Sequence, residues 1–184
     1  MDLEKRLEIY KSEYYFQIDF KEKLYSRMAI YIVLISACIT ANITMFDTLI
    51  LNSELLLTIC IYLWELMIVF LIFVLYGFFC LSHIKQDNWI NTANDMENYR
   101  NTLENHFKTH TKDKILKKNI DIEMYEYVND QFKIYLVEQY STCATVIRDN
   151  NIYRQRWLLK IMSCTYAILL VTGILGSVYL IVKI

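Results

Sequence analysis

"MAIYIVLISACITANITMF", residues 28–46, is a stretch of 19 residues without a charge, and its length indicates the fold class. A helix of this length, at about 1.5 Å per residue, spans a hydrocarbon core of about 30 Å. Two further stretches have the same character. One runs from Leu55 to Ser82 with a single charge, Glu65, and the other runs from Trp157 to Val182 with Lys160 near its start. The sequence therefore predicts three transmembrane helices.

Composition and motifs narrow the function classes. The 184-residue chain is 55% hydrophobic and has no proline and three glycines, so nothing in it forces a helix to break. Its net charge of -1 gives no general attraction to nucleic acid, and no sequence-specific nucleic-acid binding is expected. No glycine-rich phosphate loop, HExxH motif or nucleophile elbow occurs. We therefore expect no enzyme, no catalytic residue and no cofactor.

The cysteines and histidines do not predict a metal site. The five cysteines include no CxxC pair, and four of them lie inside apolar runs, which is typical of small apolar side chains in a reducing compartment. His106 and His110 are four residues apart, but two imidazoles alone are a weak metal signal.

Basic residues at the ends of the spans predict the orientation. Lysine and arginine next to a span favour the cytoplasmic side. The connection between the first two spans, residues 47–54, has two acids and no base, and all the basic flanks except Lys183 fall on the opposite side of the membrane. We expect a multi-pass membrane protein with a cytoplasmic N-terminus and its C-terminus on the outer side. The cytoplasmic bases are Lys21, Lys23, Arg27, Lys85, Arg148, Arg154, Arg156 and Lys160, of which Arg154 and Arg156 are interpreted as headgroup anchors.

The predicted fold is all-α: a membrane protein with three transmembrane helices and a small cytoplasmic helical bundle. Residues 1–27 form a cytoplasmic amphipathic helix and residues 28–82 a two-span hairpin. Residues 83–156 form a cytoplasmic helical hairpin, and residues 157–184 the third transmembrane helix. We expect the first helix to continue into span one and the last cytoplasmic helix to continue into span three. The hairpin carries two apolar stripes, one from Trp89 through Ala93, Met96 and Leu103 to Phe107, the other from Tyr125 through Val128, Phe132, Tyr135, Gln139 and Cys143 to Ile147.

Polar groups inside the spans are candidate functional residues. Glu65 is an acid in an apolar helix, which is costly at the bilayer centre. It faces an ion path or a neighbouring subunit, or it lies near the outer headgroups because span two is longer than a bilayer requires. In span one the polar side chains line a narrow wet path or join helices by hydrogen bonds. They are Ser36, Thr40 and Thr44 at four-residue spacing, with Asn42 nearby.

Small residues in span three predict close helix contact. Gly173, Gly176 and Ser177 form a face that lets another helix approach, without indicating which chain provides it. Together with the polar stripe of span one, this face offers more contact surface than a three-helix monomer requires. We therefore expect a homo-oligomer in the lipid bilayer.

Two further features lie in the polar segments. Five lysines between Lys108 and Lys118 form either a solvated turn or a contact for anionic lipid or a phosphate-bearing ligand. Asn150 and Asn151 are poor residues for a helix interior, so their side chains are expected to be used. Either they bond to the N-terminal helix near Lys21 to Arg27, or they form a joint through which movement of the bundle reaches the spans. Both alternatives place the pair against Lys21, Glu22, Lys23 or Ser26.

Two segments resemble a group of small bacterial membrane proteins. They are "EIYKSEYYFQIDFKEKLYSR" before span one and "VEQYSTCATVIRDNNIYRQRWLLK" before span three. In that group a charged N-terminal helix precedes a two-span hairpin, a cytoplasmic helical insert and a final span. The matching positions are Tyr10, Glu13, Lys21, Glu22, Lys23, Leu24, Ser26, Glu138, Gln139, Tyr140, Cys143, Thr145, Asn150, Asn151 and Arg154.

The group is similar in plan to membrane effectors of anti-phage defence systems, including the two-span effectors of cyclic-nucleotide and retron systems. The resemblance implies an effector in the bacterial inner (plasma) membrane, with a periplasmic C-terminus. Such an effector oligomerises and perturbs the membrane when its cytoplasmic bundle is triggered. The trigger would be a nucleotide signal, a phage protein or a cytoplasmic partner from the same defence system, such as a partner bound to nucleic acid. The alternative is a non-enzymatic adaptor that docks a cytoplasmic partner at the membrane.

Overall fold

The chain folds as four helices without a strand in the ranges described. The computed structural model describes residues 2–50, 54–84, 86–111 and 120–183. The prediction of an all-α fold is therefore confirmed. The helices are α1 (Leu3–Ile50), α2 (Glu54–Ser82), α3 (Ala93–Thr111) and α4 (Ile120–Lys183).

Three of these helices, α1, α2 and α4, are long and apolar enough to cross a membrane. The candidate spans lie within Leu3–Phe46, Leu57–Ser82 and Asp121–Lys183. In the most apolar window of each, only 17 to 22% is buried inside the structure. Most of this apolar surface therefore faces outward, as a lipid-facing surface does. The predicted multi-pass membrane plan is confirmed in the number, length and hydropathy of its helices.

Helices α1 and α4 each contain a polar segment and an apolar segment, and each continues without a break from one to the other. Helix α1 has 48 residues and α4 has 64. Both predicted continuations, into span one and into span three, are confirmed. The absence of proline explains why neither helix ends at the change, since every residue keeps the backbone N–H that the helix requires.

Helix α3 begins later than its apolar stripe predicts. Trp89 belongs to that stripe, but residues 86–92 are not helical. A reciprocal cap sets the start instead. The backbone N–H of Asp95 donates to Thr92 Oγ1 at 3.2 Å, and the backbone N–H of Thr92 donates to Asp95 Oδ2 at 3.3 Å. This capping box satisfies donors at the helix N-terminus and makes Ala93 the first helical residue.

The chain packs into two units. The first comprises Met1–Asp19 and Gln86–Asn150, and we call it the polar unit. The second comprises Phe20–Lys85 and Asn151–Ile184, and we call it the apolar unit. Helices α1 and α4 contribute residues to both.

The core of the polar unit joins α1 to α4. Tyr14 packs edge to face on Tyr140, with 5.6 Å between the ring centroids. Lys133 Nζ lies 2.7 Å from Glu4 Oε1 in an exposed ion pair. The second apolar stripe is buried only in part, because Tyr125 is 63% exposed. The buried residues of this core are Tyr14, Cys143, Ala144 and Ile147.

The core of the apolar unit lies between α1, α2 and α4. Ile161, Ile168 and Leu175 recur every seven residues and are almost fully buried, so they form one face of α4. They pack against residues from the other two spans. These include Ile35, Cys38, Met45, Cys60, Met67 and Val74.

Gly77 marks the closest approach of two helices. A Cβ built at this position would lie 2.8 Å from Ile161 Cγ1 and 3.1 Å from Ile161 Cδ1. Real Cβ atoms do not approach so closely, and Ile161 is only 1% exposed. Only a glycine lets α2 approach α4 at this level.

We expect Gly77→Ala to lower the free energy of unfolding by about 1 kcal/mol, because the added methyl displaces a buried side chain. Thermal unfolding in detergent measures the effect. Gly173→Ala is the matched control, since a Cβ there meets nothing within 4 Å. Equal melting temperatures for the two variants would contradict this account of the contact.

Candidate functional site

The asparagine pair lies on α4 where the chain passes from the residues of the polar unit to those of the apolar unit. Asn150 is the last residue of the polar unit, and Asn151 begins the last segment of the apolar unit. Although the two residues are adjacent on α4, the side chain of Asn150 bonds to Asp87 and that of Asn151 bonds to Arg154.

Asn150 is hydrogen-bonded to a buried carboxylate. Its Nδ2 donates to Asp87 Oδ1 at 2.7 Å, and Asp87 is 7% exposed. A buried carboxylate is stable only where donors replace its water. The amide of Asn150 supplies such a donor, which accounts for an asparagine in the interior of α4.

Asn151 is hydrogen-bonded to a buried guanidinium. Arg154 Nη1 donates to Asn151 Oδ1 at 2.9 Å, and the two residues are 5% and 1% exposed. The guanidinium carbon also lies 5.8 Å from the centroid of the Tyr25 ring, within the range of a cation–π contact. Arg154 is thus held inside the apolar unit. Arg156, the second expected anchor, is exposed.

A polar pocket of about 460 Å³ lies in the polar unit, and Asp87 forms part of its wall. The hydrogen bond to Asn150 therefore ends on a residue of the pocket. The side chains that line the pocket comprise four amides, two carboxylates, a hydroxyl, a thiol and an indole. They belong to Gln86, Asp87, Asn88, Trp89, Asn91, Glu138, Gln139, Thr142 and Cys143.

The chemistry of this pocket favours a neutral or cationic polar ligand. Asp87 and Glu138 accept hydrogen bonds, and no lysine or arginine of the described chain lines the pocket. Amide side chains donate and accept in pairs, as they do at the edge of a base. Trp89 is 57% exposed, so its ring offers a face for stacking. The volume of the pocket falls in the range of small-molecule binding sites.

The polar residues of span one differ in their roles. Asn42 is 4% exposed, and its Nδ2 donates at 2.8 Å both to the backbone oxygen of Cys38 and to Thr172 Oγ1. It therefore joins α1 to α4. The other members of the stripe are exposed and donate to backbone oxygens of their own helix. They are Ser36, Thr40 and Thr44.

The remaining predicted residues lie mostly on outer surfaces. Glu65 is exposed on α2. A Cβ on Gly176 would be 3.9 Å from Met45 Sδ, and Ser177 Oγ donates to the backbone oxygen of Gly173 at 3.0 Å. Lys21 is half-buried and Lys23 is exposed. Of the five lysines in the basic cluster, four lie outside the described residues, and Lys108 is on α3.

Two important positions were not predicted from the sequence. Gly77 is the single glycine of an apolar helix, and that was the available signal. The pocket is also marked in the sequence, by the amide-rich run "QDNWIN" at residues 86–91 around a tryptophan. No group of three or more His, Cys, Asp or Glu able to hold a metal ion occurs in the described part of the chain.

No family model, curated protein or solved structure matches this chain.

Proposed function

We propose that this protein is a bacterial inner-membrane effector of antiviral defence. It oligomerises through its spans and perturbs the membrane when its polar unit is triggered. The resemblance of its two juxtamembrane segments suggests the role. The separation into a polar unit with a ligand-sized pocket and an apolar unit with three membrane-length helices supports it.

The observation that carries the proposal is the hydrogen bond from Asn150 to Asp87. Asp87 lines the pocket, and Asn150 lies on the helix that continues as span three. A ligand or partner that changes the bonding of Asp87 changes a contact of α4 directly. The bond thus couples the pocket to α4, and a switch requires such a coupling.

The orientation completes the proposal. The basic flanks of the spans favour a cytoplasmic polar unit and a periplasmic C-terminus. In that orientation the pocket faces the compartment in which phage signals arise.

The pocket also favours a class of trigger. Its two carboxylates and four amides fit the ribose and base of a nucleotide signal, with Trp89 stacking on the base. The acidic wall disfavours phosphate, so the phosphates of such a signal would lie outside the pocket. A partner protein that inserts a polar side chain would use the same groups.

Controlled expression tests the proposal. We expect overproduction in a bacterium to depolarise the inner membrane and arrest growth, measured with a potential-sensitive dye and by cell density. The Asn150→Leu variant at the same protein level is the matched control, because it crowds the membrane equally but lacks the bond to Asp87. Normal growth and potential with the wild-type protein, both alone and during phage infection, would contradict the effector function.

The adaptor remains the second candidate because of an exposed apolar surface. Ile122 and Tyr125, one helical turn apart on α4, are each 63% exposed. Such a pair in a polar unit is suited to docking a partner protein. An adaptor would capture a defence protein while leaving membrane potential unchanged.

A further inference from the structure

A group of aromatic and basic side chains lies at the start of span three, within the apolar unit. The members on α4 are three or four residues apart in sequence, so they share one face of that helix. The remaining member belongs to α2. We call this group the aromatic–basic patch, and its residues are Tyr76, Tyr153, Arg156, Trp157 and Lys160.

The centre of the patch is the ring of Trp157, which contacts both helices. Tyr76 of α2 packs edge to face against it with 5.6 Å between the ring centroids, and Tyr153 lies 6.4 Å away on α4. A Cβ built on Gly77 would be 3.7 Å from Trp157 Cε3, so the ring also lies close to the α2 backbone. The ring is therefore held in place by side chains and backbone of two spans.

The charge of Lys160 is directed towards the end of its span. Lys160 lies one turn beyond Trp157 along span three, but its Nζ is 4.0 Å from the centroid of the Trp157 ring. This is a close cation–π contact, and the stem of the lysine extends along the helix to make it. Because Trp157 begins the apolar stretch, the ammonium lies where the headgroups of one leaflet meet the acyl chains.

The two cations of the patch require an external anion. Arg156 and Lys160 are exposed, and neither forms an ion pair or a hydrogen bond within the ranges that the structure describes. At the edge of the hydrocarbon core water replaces such partners only in part. A phosphate group has acceptor oxygens for the ammonium and for the guanidinium at the same time.

An apolar surface continues from the patch along α2. Ile72 and Phe73, one turn from Tyr76 towards the middle of the span, are each 60% exposed. In a bilayer such a surface is covered by acyl chains. A molecule that satisfies both regions has a phosphate head and apolar tails, as a phospholipid does. A zwitterionic headgroup would add a cation for which the patch holds no carboxylate, so the charges favour an anionic lipid.

We propose that the aromatic–basic patch binds an anionic phospholipid, whose phosphate contacts Lys160 and Arg156. The lipid belongs to the leaflet in which span three begins, and it holds that end of the span at a fixed depth. The site goes beyond the proposed function and does not depend on it, because every residue of the site lies in the apolar unit.

Quenching of Trp157 fluorescence by brominated lipids tests the site. Trp64 and Trp89 are replaced by phenylalanine, and the protein is reconstituted in vesicles of phosphatidylglycerol and phosphatidylcholine. In one set only the phosphatidylglycerol carries bromine on its acyl chains, and in the other only the phosphatidylcholine does. We expect phosphatidylglycerol to quench Trp157 more strongly than its share of the lipid predicts. The unsubstituted protein should likewise retain phosphatidylglycerol in preference to phosphatidylcholine through purification in mild detergent.

Variants of Lys160 assign the preference to the patch. Lys160→Gln should lower it about fivefold, which is the contribution of one basic residue near a membrane surface. Lys160→Arg should keep it, because arginine retains the charge and also stacks on aromatic rings. Lys183→Gln is the matched control and should leave it unchanged. Lys183 is exposed and donates to the hydroxyl of Tyr179 at 3.2 Å, but it lies at the other end of α4.

Each contrary outcome overturns a defined part of the proposal. Equal quenching by the two brominated lipids, or an unchanged preference in Lys160→Gln, would show that the patch binds no anionic lipid. Equal losses in Lys160→Gln and Lys183→Gln would indicate a general effect of charge instead of a site. Inorganic phosphate that removes the preference, where sodium chloride of the same ionic strength does not, would identify a site for free phosphate. Failure of the growth-arrest experiment would remove the effector function and leave the lipid site intact.

Discussion

Replacing Asn150 by aspartate should abolish growth arrest and membrane depolarisation without lowering the amount of protein. The new carboxylate cannot donate to Asp87, and it would place a second negative charge where the Nδ2 to Oδ1 distance is 2.7 Å. Like charges at such separation in a buried site repel strongly. Membrane potential and growth at matched expression measure the loss.

The exchange of the two side chains distinguishes a specific bond from general damage. In the double variant Asp87→Asn with Asn150→Asp, an amide again faces a carboxylate, and activity should return towards the wild-type level. Non-additivity of this kind is expected only for groups in direct contact. Full activity in Asn150→Asp alone, or in Asn150→Leu, would show that this bond does not transmit the signal.

The apolar helices could be predicted from the sequence because hydropathy and helix continuation are local properties. An 18-residue apolar window determines a span wherever it occurs, and a chain without proline has no local reason to interrupt α1 or α4. The start of α3 was misjudged for a local reason too. The spacing of the apolar residues indicated that the helix includes Trp89. The cap between Thr92 and Asp95 instead places the first turn after Thr92.

The contacts that build the candidate site are not local, and the sequence could not predict them. Asp87 and Asn150 are 63 residues apart, and nothing in either neighbourhood indicates the other. Arg154 has the sequence context of a headgroup anchor, as Arg156 does. Its burial follows from packing between distant parts of the chain, including the bond to Asn151 and the contact with the Tyr25 ring.

Replacing Asn151 by leucine should lower the free energy of unfolding by about 1.5–3 kcal/mol. The change removes a hydrogen-bond acceptor from a buried guanidinium, and bonds to charged groups contribute on this order. Leucine has a similar branched shape but is larger, so it leaves no cavity, and the loss comes from the missing bond and from crowding at a buried position. Thermal and denaturant unfolding in detergent, followed by circular dichroism, measure the change.

Asn151→Asp is the matched control for this bond. Its carboxylate keeps an oxygen at the position of Oδ1 and adds an opposite charge beside Arg154, so the stability should stay close to that of the wild type. The neighbouring change Asn150→Leu should cost less, because Asn150 is only half-buried. The two adjacent asparagines therefore have different expected roles, which the sequence alone does not distinguish. Asn151 stabilises the apolar unit, and Asn150 carries the proposed signal. Equal stability of Asn151→Leu and the wild type would remove that division.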